Sequence, residues 1–162
     1  MNASLQTLLT AALQDKETAG EQQQAPLTAD ERTAFENRVA QMLAYSLPQA
    51  YVDILSQTDG LDCNGVVLYA SRSYQESEGY FLQGFLEANI LLRDYLPNRN
   101  FVYFAESGMD FYRHNLETGL FEISARIGGA VFESFKVPEE LFSQVLRHML
   151  GEYGDDTESA TE

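Results

Sequence analysis

The chain has 162 residues, a hydrophobic fraction of 44% and a formal net charge of −15. This length is typical of one domain, and the hydrophobic content suffices for a buried core, which excludes a disordered or collagen-like chain. The excess of acidic residues excludes a broad phosphate-binding surface, so we expect no nucleic-acid partner. It also disfavours binding to anionic membranes.

Cys63 is the only cysteine, which excludes an intramolecular disulfide. Turn-forming residues surround it, and this predicts a semi-exposed loop thiol. No basic residue precedes the first apolar segment, and no apolar run reaches the roughly 20 residues needed to cross a bilayer. We therefore expect neither a signal peptide nor a membrane span, and we expect a cytoplasmic protein.

The two ends of the chain differ in composition from its middle. Residues 3–14 have leucine and alanine at helical spacing, whereas residues 15–27 are polar and aperiodic. We therefore expect residues 1–27 to form an N-terminal helix and linker, separate from a main domain over residues 28–150. Residues 151–162 contain five acidic and no basic residues, which predicts an acidic disordered tail.

Local signals divide residues 28–150 into helices and strands. Thr28 and Glu31 have the spacing of a capping box, and Pro48 suits a helix start. Gly60 follows the next helix, and Gly119 suits a turn between two strands. The predicted helices span 3–14, 28–44, 48–60, 83–96 and 138–150, and the predicted strands span 66–69, 101–104, 109–115, 120–127 and 131–135.

The order of these elements predicts the fold class. Four consecutive strands over residues 101–135 favour an antiparallel meander, and the remaining helices can pack against it. We therefore expect an α+β fold, with an antiparallel sheet of about four to five strands and helices packed on it.

Three segments occur in an order typical of one family. A Leu-Pro segment with Tyr51 and a closing Asp59-Gly60 turn is followed by the strand at 66–69. A segment from Phe104 to Gly119 then combines a glycine, an acid and aromatic residues with a Thr-Gly turn. In this order the segments resemble the SUKH superfamily, particularly its YrhA-like branch, over about residues 28–150.

The resemblance implies an α+β fold and a function in protein binding. SUKH proteins are chiefly immunity proteins of bacterial toxin systems, each neutralising a cognate toxin that is often a nuclease. Others are regulatory interaction modules. None of the three motifs is catalytic, so the resemblance implies a protein that is not an enzyme.

Acidic and aromatic side chains are the candidate contacts for such a partner. An acidic face would steer the chain onto a basic toxin surface and raise the association rate, while aromatic residues often anchor interfaces. The predicted partner-binding residues are Asp59, Asp62, Glu106, Asp110 and Glu117 as acids, and Tyr69, Tyr103 and Tyr112 as aromatic anchors.

Two alternatives stay open. A cytoplasmic regulatory or scaffold domain could have this fold without a toxin partner. A small enzyme could use Glu106 and Asp110 as a carboxylate pair. The sequence contains no P-loop and no nucleophile elbow, and His114 and His148 fit no metal-binding pattern, so we expect neither a metal nor a cofactor.

Overall fold

The computed structural model describes residues 1–75, 79–95 and 100–153. Within these ranges it contains five helices and six strands. The helices are α1 (Ala3–Thr18), α2 (Ala29–Leu43), α3 (Gln49–Leu55), α4 (Phe85–Tyr95) and α5 (Pro138–Met149). The strands are β1 (Leu61–Cys63), β2 (Val66–Leu68), β3 (Phe101–Glu106), β4 (Asp110–Asn115), β5 (Phe121–Ala125) and β6 (Val131–Phe135).

The six strands form one antiparallel sheet in chain order, and α4 is inserted between β2 and β3. This confirms the α+β class, with more strands than predicted. The additional strand is β1, which pairs with β2 across Asn64 and Gly65. Both turn residues have positive φ, at 52° and 82°, as a tight hairpin turn requires.

Cys63 therefore lies in a strand rather than in a loop. Its side chain is buried, and its thiol contacts the carbonyl oxygen of Met149 at 3.6 Å. Burial raises the pKa of the Cys63 thiol. The prediction of a semi-exposed thiol is wrong.

Aromatic rings form the centre of the core between the sheet and the helices. The ring centroid of Phe104 lies 5.3 Å from Tyr51, 5.7 Å from Phe85 and 5.2 Å from Phe142. These rings come from β3, α3, α4 and α5, so one cluster joins four elements. The apolar side of α5 is fully buried against this cluster through Leu141, Phe142, Val145, Leu146 and Met149.

The N-terminal helix belongs to the same core. Leu5, Leu9 and Ala12 of α1 are fully buried in the cluster that contains the sheet residues. The linker is also held in place, since Leu27 N donates to Leu55 O at 2.9 Å. The predicted separation of residues 1–27 from residues 28–150 is therefore wrong.

Two sequence signals of local structure are confirmed. The Thr28 hydroxyl accepts a hydrogen bond from Glu31 N at 3.2 Å, and the Glu31 carboxylate accepts one from Thr28 N at 2.9 Å. Gly60 has a φ of +85°, and a Cβ there would lie 2.7 Å from the Cβ of Ala70. Only glycine fits this position without displacing Ala70.

Asn89 on α4 bonds to β3 beyond the end of β2. Strand β2 pairs with β3 at Ala105 and Glu106, and Tyr69 N, directly after β2, donates to Phe104 O at 2.9 Å. Further along β3, the fully buried Asn89 side chain donates to Tyr103 O and accepts from Tyr103 N, both at 2.8 Å. The side-chain amide thus takes the place of a neighbouring strand.

The structure describes only part of the C-terminal segment after α5. Residues 151–153 are exposed, and the predicted disordered tail lies outside the described residues from residue 154 onwards. In the described ranges, every helix is too short or too polar to cross a membrane.

Candidate protein-binding site

Half of the predicted contact residues lie in the interior. Asp59, Tyr69, Tyr103 and Tyr112 are each at most 2% exposed. A side chain at this depth cannot contact a partner without rearrangement of the core. Their prediction as surface contacts is therefore wrong.

Asp59 stabilises the chain that leaves α3. Its carboxylate accepts hydrogen bonds from Ser71 N at 2.8 Å and Ser71 Oγ at 2.7 Å, and a further one from the Tyr74 hydroxyl. A buried carboxylate requires such donors, because losing water without replacement costs several kcal/mol. Asp59 thus links two segments of the fold and has no surface role.

Asp62 lies at the surface beside a buried lysine. Lys16 of α1 donates to the Asp62 carboxylate at 3.0 Å and to the Asp62 carbonyl oxygen at 2.6 Å. The ammonium group, which also lies 3.5 Å from the Glu21 carboxylate, partly compensates the negative charge of Asp62. This acid therefore holds α1 against β1 and contributes little to an acidic surface.

Glu106 is also paired. Its carboxylate accepts hydrogen bonds from Arg126 Nη1 at 2.7 Å and from the Tyr69 hydroxyl at 2.8 Å. Glu106 pairs with Phe111 in the sheet, so it shares a face with Phe111, whereas Asp110 points to the opposite face. The Glu106–Asp110 carboxylate pair of the enzyme hypothesis is not formed.

Asp110 and Glu117 are the two predicted acids that stay accessible and form no salt bridge with a lysine or arginine of the described ranges. Asp110 is half-buried at the start of β4, and Glu117 is exposed in the turn after its end. The length of the six-residue strand β4, about 20 Å, therefore separates their positions. The predicted acids therefore do not form one cluster.

Asp110 lines a cavity of about 310 Å³ between β4, β6 and the end of α5. Two further carboxylates, from Glu133 and Glu152, line the same cavity. Its other lining residues are Met109, Ile123, Phe132, Gln144, His148 and Tyr153. The lining thus combines acidic and aromatic side chains, and none of its described residues is a lysine or arginine.

His148 fixes the geometry at the floor of the cavity. A hydrogen bond of 2.6 Å joins its Nδ1 to the hydroxyl of Tyr112. On its other side the imidazole stacks on Tyr153, with 4.4 Å between centroids and 19° between planes. The buried Tyr112 thus orients His148, and His148 orients the exposed Tyr153.

Exposed apolar side chains surround the cavity mouth. Met109 is 79% exposed, Phe132 61% and Tyr153 51%. Two neighbours on the β5–β6 hairpin, Ile127 and Val131, are also exposed. We call this region the β6 surface, defined by Met109, Asp110, Ile127, Val131, Phe132, Glu133, Glu152 and Tyr153.

The sequence prediction missed most of the β6 surface. The alternating pattern of Val131–Phe135 predicts a strand with one buried face, but the structure leaves four of its five residues exposed. The last strand of a meander lies at an edge, and β6 pairs with β5 alone among the described strands. The position of β6 as the last strand of the predicted meander was therefore the signal that could have identified this exposed surface.

The second histidine lies away from this cavity. His114 Nδ1 is hydrogen-bonded to the Tyr45 hydroxyl at 2.7 Å, and the imidazole stacks on Phe121 at 4.0 Å. Burial lowers the pKa of His114, which favours the neutral ring. Across the described ranges, no group of three or more His, Cys, Asp or Glu side chains could hold a metal ion.

Comparison of the chain with models of known protein families, with curated proteins and with solved structures found no match in any of the three.

Replacing Asp110 by asparagine should stabilise the protein slightly at neutral pH. Burial raises the pKa of the Asp110 carboxyl, and His148 partly offsets this effect. The native state therefore holds the proton more tightly than the unfolded state, so stability falls as the pH rises above the unfolded pKa of about 3.9. We expect Asp110→Asn to add less than about 1 kcal/mol at pH 7, because the group is half exposed.

Thermal unfolding at two pH values checks this expectation. The gain should vanish at about pH 3, where the carboxyl is protonated in both states. Glu36→Gln, at an exposed position on α2, is the control and should change the stability by less than about 0.5 kcal/mol at either pH. A gain of equal size at both pH values would show that ionisation is not its cause.

Proposed function

We propose that this chain is a non-enzymatic protein-binding module that neutralises a basic toxin in the cytoplasm by direct contact. The partner is a protein rather than a nucleic acid or a membrane. The observation that carries the proposal is the β6 surface, where exposed apolar side chains surround a cavity with three carboxylates.

The composition of the β6 surface supports a protein partner. Interface centres are rich in aromatic residues and methionine, and a few such side chains supply most of the binding energy. Met109, Phe132 and Tyr153 have this character and are more than half exposed. Three aromatic or sulfur-containing side chains around one cavity favour a macromolecular partner over a small polar ligand.

The charge of the chain supports a basic partner. The sequence has 25 acidic and 10 basic residues. Opposite charge on the partner would accelerate association, and like charge would disfavour other acidic proteins. The segment order that resembles SUKH immunity proteins points to a toxin, and a nuclease has the required basic surface.

The product of the neighbouring open reading frame is the first partner to test. We expect it to be toxic when expressed alone, harmless when co-expressed with this chain, and bound with a nanomolar dissociation constant. The double substitution Phe132→Ser with Glu133→Lys should weaken the complex at least about 100-fold, because it removes an aromatic contact and reverses a charge.

A matched variant on another surface separates this effect from general disturbance. Met42 and Glu36 are both exposed on α2, and Met42→Ser with Glu36→Lys repeats the chemical change there. We expect this control to bind within about threefold of the unaltered chain. A non-toxic neighbouring product that forms no complex would overturn the proposal and favour a regulatory interaction domain.

A further inference from the structure

We propose that the cavity of the β6 surface receives an arginine side chain from the partner protein. This inference rests on the proposed function, since it identifies how the same site recognises its partner. It is carried by the combination of carboxylates and aromatic rings around one cavity.

The size of the cavity suits a single side chain. Its volume of about 310 Å³ lies at the lower end of the 300–1,000 Å³ typical of small-molecule sites. A cofactor or nucleotide would fill a larger site. A long side chain that enters from a partner surface would fit and would leave its backbone near the exposed Met109 and Phe132.

The charge of the lining favours a cation. Asp110, Glu133 and Glu152 contribute three carboxylates from three different elements or segments. Asp110 is the most enclosed of the three, and Glu133 and Glu152 are exposed. A cation near Asp110 would therefore meet a carboxylate that has already lost part of its water, which strengthens the interaction.

The aromatic rings favour arginine over lysine. A guanidinium group is planar, stacks on aromatic faces and can donate to two carboxylates, whereas an ammonium group is a compact and strongly hydrated charge. Tyr153 offers a ring whose plane is held by stacking on His148. Phe132 offers a second exposed ring at the cavity mouth.

A short peptide tests the pocket without the partner protein. We would titrate the full chain with the capped peptide Gly-Val-Arg-Val-Gly and follow backbone amide shifts by NMR. The control peptide carries citrulline, which keeps the shape of arginine and removes its charge. We expect saturable binding with a dissociation constant of about 1 mM, shifts at Asp110, Phe132 and Tyr153, and at least tenfold weaker binding of the citrulline peptide.

Variants of the chain complete the test. Asp110→Asn with Glu133→Gln should lower the affinity for the arginine peptide at least tenfold, while Asp94→Asn with Glu36→Gln, at exposed positions on α4 and α2, should leave it unchanged. Retained amide dispersion in both spectra would show that the variants are folded. Equal binding of the two peptides, shifts confined to other surfaces, or no saturable binding would each overturn the proposal.

The failure of this inference is distinguishable from failure of the proposed function. If the toxin complex forms and the Asp110→Asn, Glu133→Gln variant binds it with unchanged affinity, the arginine pocket is wrong and the function stands. If no toxin complex forms and the arginine peptide still binds selectively, the pocket stands and the proposed function is wrong.

Discussion

Replacement of Asn89 by leucine is expected to lower the free energy of unfolding by about 3 kcal/mol. The two side chains are similar in size, so the change mainly removes hydrogen bonds. The buried N–H and carbonyl groups of Tyr103 would both lose their partner. Each unsatisfied buried group costs about 1–3 kcal/mol, which is a large share of a typical stability of about 5–15 kcal/mol.

Urea unfolding followed by circular dichroism measures this loss. Asn37 provides the control, because it is an exposed asparagine on α2. Asn37→Leu should change the stability by less than about 0.5 kcal/mol. An equally small effect at Asn89 would show that water satisfies Tyr103 in the variant, and that the amide does not replace a strand.

Replacement of Glu122 by glutamine is expected to cost about 3–5 kcal/mol. Arg113 and Glu122 are neighbours on β4 and β5, both side chains are less than 10% exposed, and Arg113 Nε donates to Glu122 Oε1 at 3.0 Å. The guanidinium also lies over the Phe101 ring at 3.6 Å. Removing the carboxylate charge leaves an uncompensated buried cation, which is the costly case for such pairs.

A second variant identifies the buried cation as the cause. Arg113→Met with Glu122→Leu removes both charges, and it should recover most of the lost stability because buried ion pairs can be exchanged for apolar contacts. Glu117→Gln, in the exposed turn of the same hairpin, should have little effect. If the double variant is as unstable as Glu122→Gln, the loss comes from packing and the electrostatic explanation is wrong.

Local chemistry made much of the fold predictable. The capping box at Thr28 and the turn at Gly119 depend on residues within one turn of the chain, and the structure confirms both. Strand β1 is not predictable from alternation, because a strand of three residues is too short to show that pattern. Asn64-Gly65 is nevertheless a strong hairpin signal.

The burial of individual side chains was less predictable. Asp59 precedes a glycine turn, which is typical of an exposed acid, and its donors Ser71 and Tyr74 come from a segment that folds back from further along the chain. The sequence places Tyr103 on β3 and Tyr112 on β4, but it does not show which face of the sheet the helices cover. Their burial therefore could not be predicted. The sequence predicts that α1 is separate from the domain, because the polar linker gives no sign that α1 packs against α5.

The open edge of β6 has a consequence for self-association. An unpaired edge strand can extend the sheet by pairing with a second copy of the same chain. Glu133 is the central residue of Val131–Phe135, so an antiparallel pairing centred on β6 would place two identical carboxylates opposite each other, which is unfavourable. The charge that we propose as the attraction for a cationic partner thus also disfavours homodimerisation through this edge, and it leaves the β6 surface accessible.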